Sequence, residues 1–258
     1  MSSAKLKLAQ KLKLKKYRDE LKLFAAEGLR LCEMAADSEI EFGFYTAEFL
    51  KSERAEKLVE KLKSCATLYE ISAATFEKIS DTKTPQGIML ILRQKFFTIE
   101  EVLQKNLIVA LDEIHDAGNL GTILRTAEAF NCGAVILEDS ADIFNSKVVR
   151  ASMGAIFYLP VIKMTRADFI STMQNANVEI LAAALDSTAE IYYNHKFTKK
   201  SAVVFGSEAT GVSAEILNAA QKIYIPMQGR AESLNVATAA SIIMAEINKK
   251  AEKSLLTT

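Results

Sequence analysis

Hydrophobic positions recur along this chain with two periods. Leu14, Tyr17, Leu21 and Phe24 fall at three- and four-residue steps, which predicts an amphipathic helix running to about Ala36. "EIEFGFYT" then alternates as a strand. "AEFLKSERAEKLVEKLKS" predicts a second helix, with acids and bases interleaved at helical spacing. "ATLYEI" reads as a short strand and "GIMLILRQ" as a longer one, after the turn "DTKTPQ". These elements make one α/β block ending near Gln94. The pattern restarts at Leu107, so the boundary falls near Lys95–Glu101, giving domains 1–95 and 96–258.

The second block alternates more regularly. Apolar runs occur at "LIVALD" (107–112), "AVIL" (134–137), "VEILAAAL" (178–185), "AVVF" (202–205) and "KIYIPM" (222–227), with helix-like segments between most of them. Strands alternating with helices imply βαβ units, a mostly parallel sheet and helices on both faces. Polar, glycine-rich stretches follow three of the runs: "EIHDAGN", "GSEATG" and "QGRAESLN". Ligands of open parallel sheets bind outside the carboxyl ends of the strands. Each loop carries a buriable polar group: Asn119, Glu208, and Ser233 with Asn235. Glycines also make ordinary turns, but three such loops at one sheet edge point to one site. Neither a dinucleotide nor a P-loop fingerprint is present. Loops of neutral polar side chains suit an uncharged or zwitterionic ligand.

Within "GNLGTILRTAEAF", a helix beginning near Leu120 has Leu120, Ile123, Leu124 and Ala127 as its apolar stripe. Arg125 falls almost opposite, among Gly121, Thr122, Thr126 and Ala129, all small. Such a face lets another group approach closely. A lone cation there is suited to an anion or a reacting oxygen, with pairing to Glu128 as the structural alternative. The last segment, "SLNVATAASIIMAEI", places Leu234, Val236, Ala237, Ala239, Ala240, Ile242, Ile243 and Ile247 on nearly every side of a helix. A helix apolar all round is buried all round, so a second chain is expected against it, as in a homodimer.

Composition narrows the class. Half of the 258 residues are hydrophobic, and no apolar run reaches the roughly 18 residues of a membrane span. The charged N-terminus lacks the apolar core of a secretory signal. Cys32, Cys65 and Cys132 lie far apart with no metal spacing, which fits a reducing cytoplasm and no metal. Lys+Arg and Asp+Glu balance at 32 each, yet residues 1–22 hold eight Lys/Arg against Asp19 and Glu20. That stretch is either a solvated face or a contact to a phosphate backbone.

"DAGNLGTILRTAEAF", "KVVRASMGAIFYLPV", "VVFGSEATGVS" and "IYIPMQGRAESLNVATAASI" resemble, in order, the successive motifs of the TrmH/SpoU family of the SPOUT methyltransferase superfamily, over residues 107–247. "KYRDELKLFAAEG" and "SDTKTPQGIML" resemble the small L30e-like α/β substrate-binding domain that precedes the catalytic domain in many members. The chain departs from the family pattern at Ala117, where proline is usual. The resemblance implies a C-terminal α/β domain closed by a deep trefoil knot, S-adenosylmethionine as cofactor, and a homodimer acting on RNA. It implies methyl transfer to a ribose 2′-hydroxyl, most readily of ribosomal RNA of the large subunit. The alternatives are the same chemistry on transfer RNA, or an inactive RNA-binding relative. A nucleotide-dependent enzyme on an ordinary doubly wound sheet is disfavoured by the missing phosphate loops. Carried onto this chain, the catalytic set is Arg125, Asn119, Glu208, Ser233 and Asn235. The cofactor set is Gly206, Ile225, Pro226, Met227, Gly229 and Leu234. Arg150 and Arg230 are candidate phosphate contacts, and His115, beside Asp116, reads as a structural loop histidine.

Overall fold

The structure, a computed structural model, describes residues 2–138 and 140–255. It divides into two compact units. The first holds the chain up to Lys95 together with Asp142–Phe157. The second holds Phe96–Ala141 and the chain from Tyr158 onward.

The first unit is built on a four-stranded sheet of β1 (Leu23–Glu27), β2 (Ile40–Tyr45), β3 (Leu68–Glu70) and β4 (Ile88–Arg93), in the order β1-β4-β2-β3. β4 runs antiparallel to β1 and β2, and β2 parallel to β3. Phe42, Phe44, Phe76 and Ile91 fill its core, joined by Ala9 and Leu12 from the N-terminal segment. The continuous helix expected from Leu14 to Ala36 is not formed. A helix covers Lys15–Leu21, Lys22 turns into the left-handed region at φ 55°, and β1 follows before a second helix at Leu29–Met34. The apparent stripe is not the buried one: Leu14 is 60% exposed and Leu21 37%. Pairing of Phe24 with Leu92 across the sheet overrides the local helical period. The helix expected over 47–64 is divided at Ser52, whose hydroxyl accepts the amide of Ala55 and caps Glu53–Lys63.

Arg18 explains why Asp142–Phe157 belongs here. Its guanidinium is buried, donating through Nε and Nη2 to Asp142 Oδ2 at 2.9 and 2.7 Å, and through Nη1 to the carbonyls of Leu12 and Lys13. Phe144 packs on Phe24 with ring centroids 4.9 Å apart. Part of the basic N-terminal charge is therefore structural. Lys13 likewise donates to the carbonyl of Ser80 and pairs with Asp81.

The second unit carries seven strands: β5 (Leu107–Asp112), β6 (Gly133–Leu137), β7 (Val161–Met164), β8 (Glu179–Ala183), β9 (Glu190–Ile191), β10 (Ser201–Gly206) and β11 (Gln221–Tyr224). Their order is β7-β6-β5-β10-β8-β11-β9, and every pairing is parallel. β7 and β9 were not among the apolar runs. Ile108, Ala110, Val135, Leu137, Ile180, Ala182, Ala202 and Val204 point into one core with Phe169 and Met173. Their alternate neighbours, such as Val109, Leu111, Val203 and Phe205, are also buried. Both faces of the sheet are thus covered, as all-parallel sheets require. The helices Ala117–Ala129 and Val236–Leu255 pack on each other, and the latter also meets β5 and β10. β10 lies between β5 and β8, while β11 lies beyond β8. The chain must therefore pass over β8 and return to place its last helix. Among the described residues, no helix is long and apolar enough to cross a membrane.

Arg18 and Asp142 have side chains only 4% and 12% exposed. Breaking a buried pair strands the remaining charge. Asp142→Ala is expected to lower stability by about 3 kcal/mol in chemical denaturation. A loss below about 1 kcal/mol would show that Arg18 finds water instead.

Candidate active site

Two strand ends of the second unit and the start of its last helix converge through side-chain bonds. After β5, the Asp116 carboxylate accepts the amide of Asn119 at 2.7 Å and caps the helix Ala117–Ala129. The helix thus starts three residues earlier than its apolar stripe suggested. Ala117 holds its first position, where proline's missing N–H is tolerated; the chain's departure from the family pattern costs no hydrogen bond. Leu120, Ile123, Leu124 and Ala127 are all fully buried, as the stripe predicts.

After β10, the loop "SEATG" folds straight back on the strand. A Cβ at Gly206 would lie 2.0 Å from the carbonyl carbon of Gly211 and 2.2 Å from the amide of Val212, so no side chain fits there. The Gly211 amide donates to the Ser207 carbonyl at 2.9 Å, and the hydroxyls of Ser207 and Thr210 lie 2.7 Å apart. From below, buried Asp112 accepts the amide of Ser213 at 2.9 Å and Arg166 Nε at 2.8 Å. The same Arg166 donates to Glu113 at 2.6 Å, and the Thr210 hydroxyl donates to Glu113 at 3.4 Å. Sequence reasoning missed Asp112 and Arg166; no local period signals a contact 54 residues apart.

The loop so held presents Glu208. Its Oε1 accepts from Asn119 Nδ2 at 2.5 Å and from Asn235 Nδ2 at 3.5 Å, while Asn235 Nδ2 also donates to Asn119 Oδ1 at 2.9 Å. Asn235 Oδ1 accepts the amides of Ala237 and Thr238, capping the last helix. One carboxylate and two carboxamides thus bind the ends of β5 and β10 and the start of the last helix into a triangle.

Ile225, Met227, Ser233 and Leu234 line a cleft of about 160 Å³ beside this triangle's third member, with Ala183, Ala184 and Leu185 from the end of β8, Tyr224 and Glu232, and Ala239 and Ile243 from the last helix. Pro226 lines an adjoining groove. β11 stops at Tyr224, earlier than the apolar run, because Pro226 has no N–H to extend a ladder. Among the described residues, the backbone of 226–234 makes no hydrogen bond within the chain. Just past Leu185, the Lys222 ammonium at 2.9 Å holds the Asp186 carboxyl well below the usual carboxylate range, aided by the hydroxyl and amide of Thr188. The cleft is mainly apolar, lined by Leu, Ile, Tyr and Met side chains with alanines between them, and open backbone donors and acceptors run along one side. Those features fit a flat heteroaromatic group with a zwitterionic tail.

Not every expected residue joins this assembly. Arg125 is exposed and, among the described residues, makes no hydrogen bond or ion pair, with Glu128 or any other group. Its neighbour Thr126 meets Ser241 of the last helix at 3.3 Å between hydroxyls. Gly206 shapes its loop without lining the cleft, and Gly229 does not line it either. Arg150 lies in the first unit; Arg230 and His115 are exposed. Among the described residues, no cluster could hold a metal ion. Cys32 is buried with its thiol pushed well up, and burial raises that of Cys132 to about 12, so neither supplies a thiolate.

Residues 106–245 match the SpoU rRNA Methylase family, and residues 3–90 match the MRM3-like substrate binding domain. The 23S rRNA (guanosine(2553)-2'-O)-methyltransferase RlmP of Bacillus subtilis is 33% identical over 93% of this chain and 94% of its own length. An AdoMet-bound rRNA methyltransferase from Sinorhizobium meliloti superposes with a TM-score of 0.86 at 29% identity, covering 97% of this chain and 96% of that one. A TrmH-family RNA methyltransferase structure from Porphyromonas gingivalis superposes at 0.83 and 28% identity, covering 97% and 99%.

Gly206→Ala forces the 207–212 loop outward. It is expected to cost about 1–3 kcal/mol, the usual penalty of overpacking, and to speed hydrogen exchange at the Gly211 amide. Exchange at the wild-type rate in the variant would mean that the loop is not held closed by this contact.

Proposed function

The chain belongs to the SpoU rRNA methylase family, and from that premise we propose that it methylates a ribose 2′-hydroxyl of 23S-type ribosomal RNA. S-Adenosylmethionine is the cofactor, held in the cleft of Ile225, Met227 and Leu234. The observation that carries this reading is the cleft itself: mainly apolar walls facing a stretch of unbonded backbone, beside the carboxylate-carboxamide triangle.

When bound, the cofactor would supply an electrophilic methyl group for a single in-line displacement, leaving as the neutral thioether S-adenosylhomocysteine while the hydroxyl proton passes to a neighbouring phosphate or to water. The protein must then position the hydroxyl, stabilise the negative charge that grows on its oxygen, and exclude water. Arg125 is the group we assign to that charge. A guanidinium is too weak an acid to serve as a base at neutral pH. It is well suited to stabilise a developing alkoxide and to grip a neighbouring phosphate. With no carboxylate partner among the described residues, Arg125 keeps its charge available. Asn119 is held by Glu208 and Asn235 rather than by Arg125, so its role is to fix the helix start from which Arg125 projects about 9 Å further along. Ser233 places a hydroxyl in the cleft wall. Gly206 and Gly229 contribute backbone shape, and Pro226 fixes the turn leaving β11.

We also propose that two copies pair through the last helix. Leu234 is 37% exposed, and Ala239 and Ile242 are only partly covered by their own chain. The activity belongs in the cytoplasm, where ribosomal RNA is made accessible.

Arg125→Ala is expected to leave cofactor affinity within about twofold and to cut methyl transfer about a hundredfold or more. Arg125→Lys is expected to remain poor, because a point charge does not reproduce the planar fork. Calorimetry with S-adenosylmethionine and single-turnover transfer separate the two effects. Near-normal transfer by Arg125→Ala would reject the assignment.

A further inference from the structure

β9 is only two residues long, yet it closes the outer edge of the sheet, pairing Glu190 with Ile223 and Ile191 with Tyr224 of β11. Ile223 and Tyr224 line the cofactor cleft. Strands usually run about three to ten residues, so a pairing this short needs a further hold. The side chain of His195 supplies one. Its ring is buried in the segment that leads from β9 to β10. Nδ1 lies 2.8 Å from Glu190 Oε2, and Nε2 lies 3.0 Å from Oε1 of Glu179, the first residue of β8. An ionised carboxylate only accepts, so the ring donates from both nitrogens. Glu179 is fixed in turn. Its Oε2 accepts the amide and hydroxyl of Thr198 at 3.1 and 3.2 Å and the hydroxyl of Ser201 at 3.0 Å. The Lys250 ammonium, from the last helix, donates to the carbonyls of Tyr193 and His195 at 2.7 and 3.0 Å. It also stands 4.9 Å from the centroid of Phe197, which packs edge-on against the imidazole. None of Glu179, Glu190, His195 and Lys250 lines the cleft.

We propose that His195 is a positioning residue for the cofactor cleft, a staple across β11 that fixes the Ile223–Tyr224 wall. The inference rests on reading that cleft as the S-adenosylmethionine site and adds the group that holds its outer wall. In the sheet, β11 lies between β8 and β9. A ring that grips Glu179 on β8 and Glu190 on β9 therefore spans β11 from one neighbour to the other. With the staple closed, Ile223 is held by Ala183 on one side and Glu190 on the other. The Ala184 amide donates to the Ile223 carbonyl, and the Tyr192 amide to the Tyr224 carbonyl, each at 3.0 Å. With the staple open, β9 keeps only its short pairing. Tyr224 then loses its outer support directly before the unbonded run 226–234, and the wall that faces the cofactor is free to shift. The cost falls on binding, because the staple touches neither Arg125 nor the Asn119–Glu208–Asn235 triangle.

The test uses the full chain. S-Adenosylmethionine affinity is read by calorimetry, methyl transfer to 23S rRNA at saturating cofactor by single turnover, and amide hydrogen exchange by NMR. His195→Gln is expected to weaken cofactor affinity about tenfold, the scale of one hydrogen bond to a charged group. Transfer at saturating cofactor is expected to stay within about twofold of wild type. Exchange at the Tyr192 amide should quicken, while exchange at the Gly211 amide stays at the wild-type rate. Glu190→Gln alters a half-exposed side chain and decides the matter if His195→Gln does not fold. It is expected to weaken cofactor affinity in the same direction. The double variant is expected to bind no more weakly than His195→Gln alone, because both changes remove the same bond. Wild-type affinity and wild-type Tyr192 exchange in Glu190→Gln and in any folded His195→Gln would overturn the proposal and leave the cofactor site standing. Equal losses of affinity and of transfer at saturating cofactor would also overturn it, since they mark general damage. A wild type that binds no S-adenosylmethionine would overturn the reading of the cleft and this inference with it.

Discussion

The site depends on one close approach. At Gly206 the strand meets its own returning loop so tightly that a single methyl group would strike backbone on the other side. That contact turns the loop after β10 back over the sheet edge, where Glu208 can reach Asn119 and Asn235 at once. Without the turn, the carboxylate would point to solvent, and the starts of two helices would lose their common partner. Asp112 and Arg166 brace the same loop from beneath, so its closure is determined by buried charge as well as by backbone fit. Asp112 is the buried member of this arrangement, and its bonds to Arg166 and to the Ser213 amide fix position, as the supporting bonds of preorganised sites do.

From that constraint the division of labour follows. The triangle is held by Glu208 Oε1, which both carboxamides reach, and by the bond between the two carboxamides themselves. Arg125, on the same helix as Asn119, has no partner among the described residues. The open backbone of residues 226–234 is the complementary case: a stretch whose donors and acceptors are left for a ligand to satisfy. Rigid scaffold, free cation and open backbone lie within the second unit, and the proposed displacement, which depends on alignment more than on acid-base chemistry, calls on all three.

Much of this could be read from the chain before folding. β5, β6, β8 and β10 announce themselves as apolar runs, and Asn119, Glu208 and Asn235 follow directly after strand ends or open the last helix. What could not be read depends on distant partners. Leu14–Phe24 has a clean helical period, yet Phe24 belongs to a strand, because Leu92 lies across from it. Arg18 looks like one of many surface bases in a lysine-rich stretch, yet it is buried against Asp142, 124 residues away. Ala183–Leu185 line the cleft only because β11 passes beyond β8, a crossing that no periodicity encodes. The family resemblance gives the roles of the site residues as expectations; the structure adds which of their polar groups are paired and which are open.

The most direct measurement is to incubate the purified protein with unmodified 23S rRNA and S-adenosylmethionine labelled in its methyl group, then digest the RNA to nucleosides. Label confined to one 2′-O-methylated nucleoside is expected. Label on a base, or none above the protein-free control while the cofactor still binds, would contradict the assignment of this site to ribose methylation.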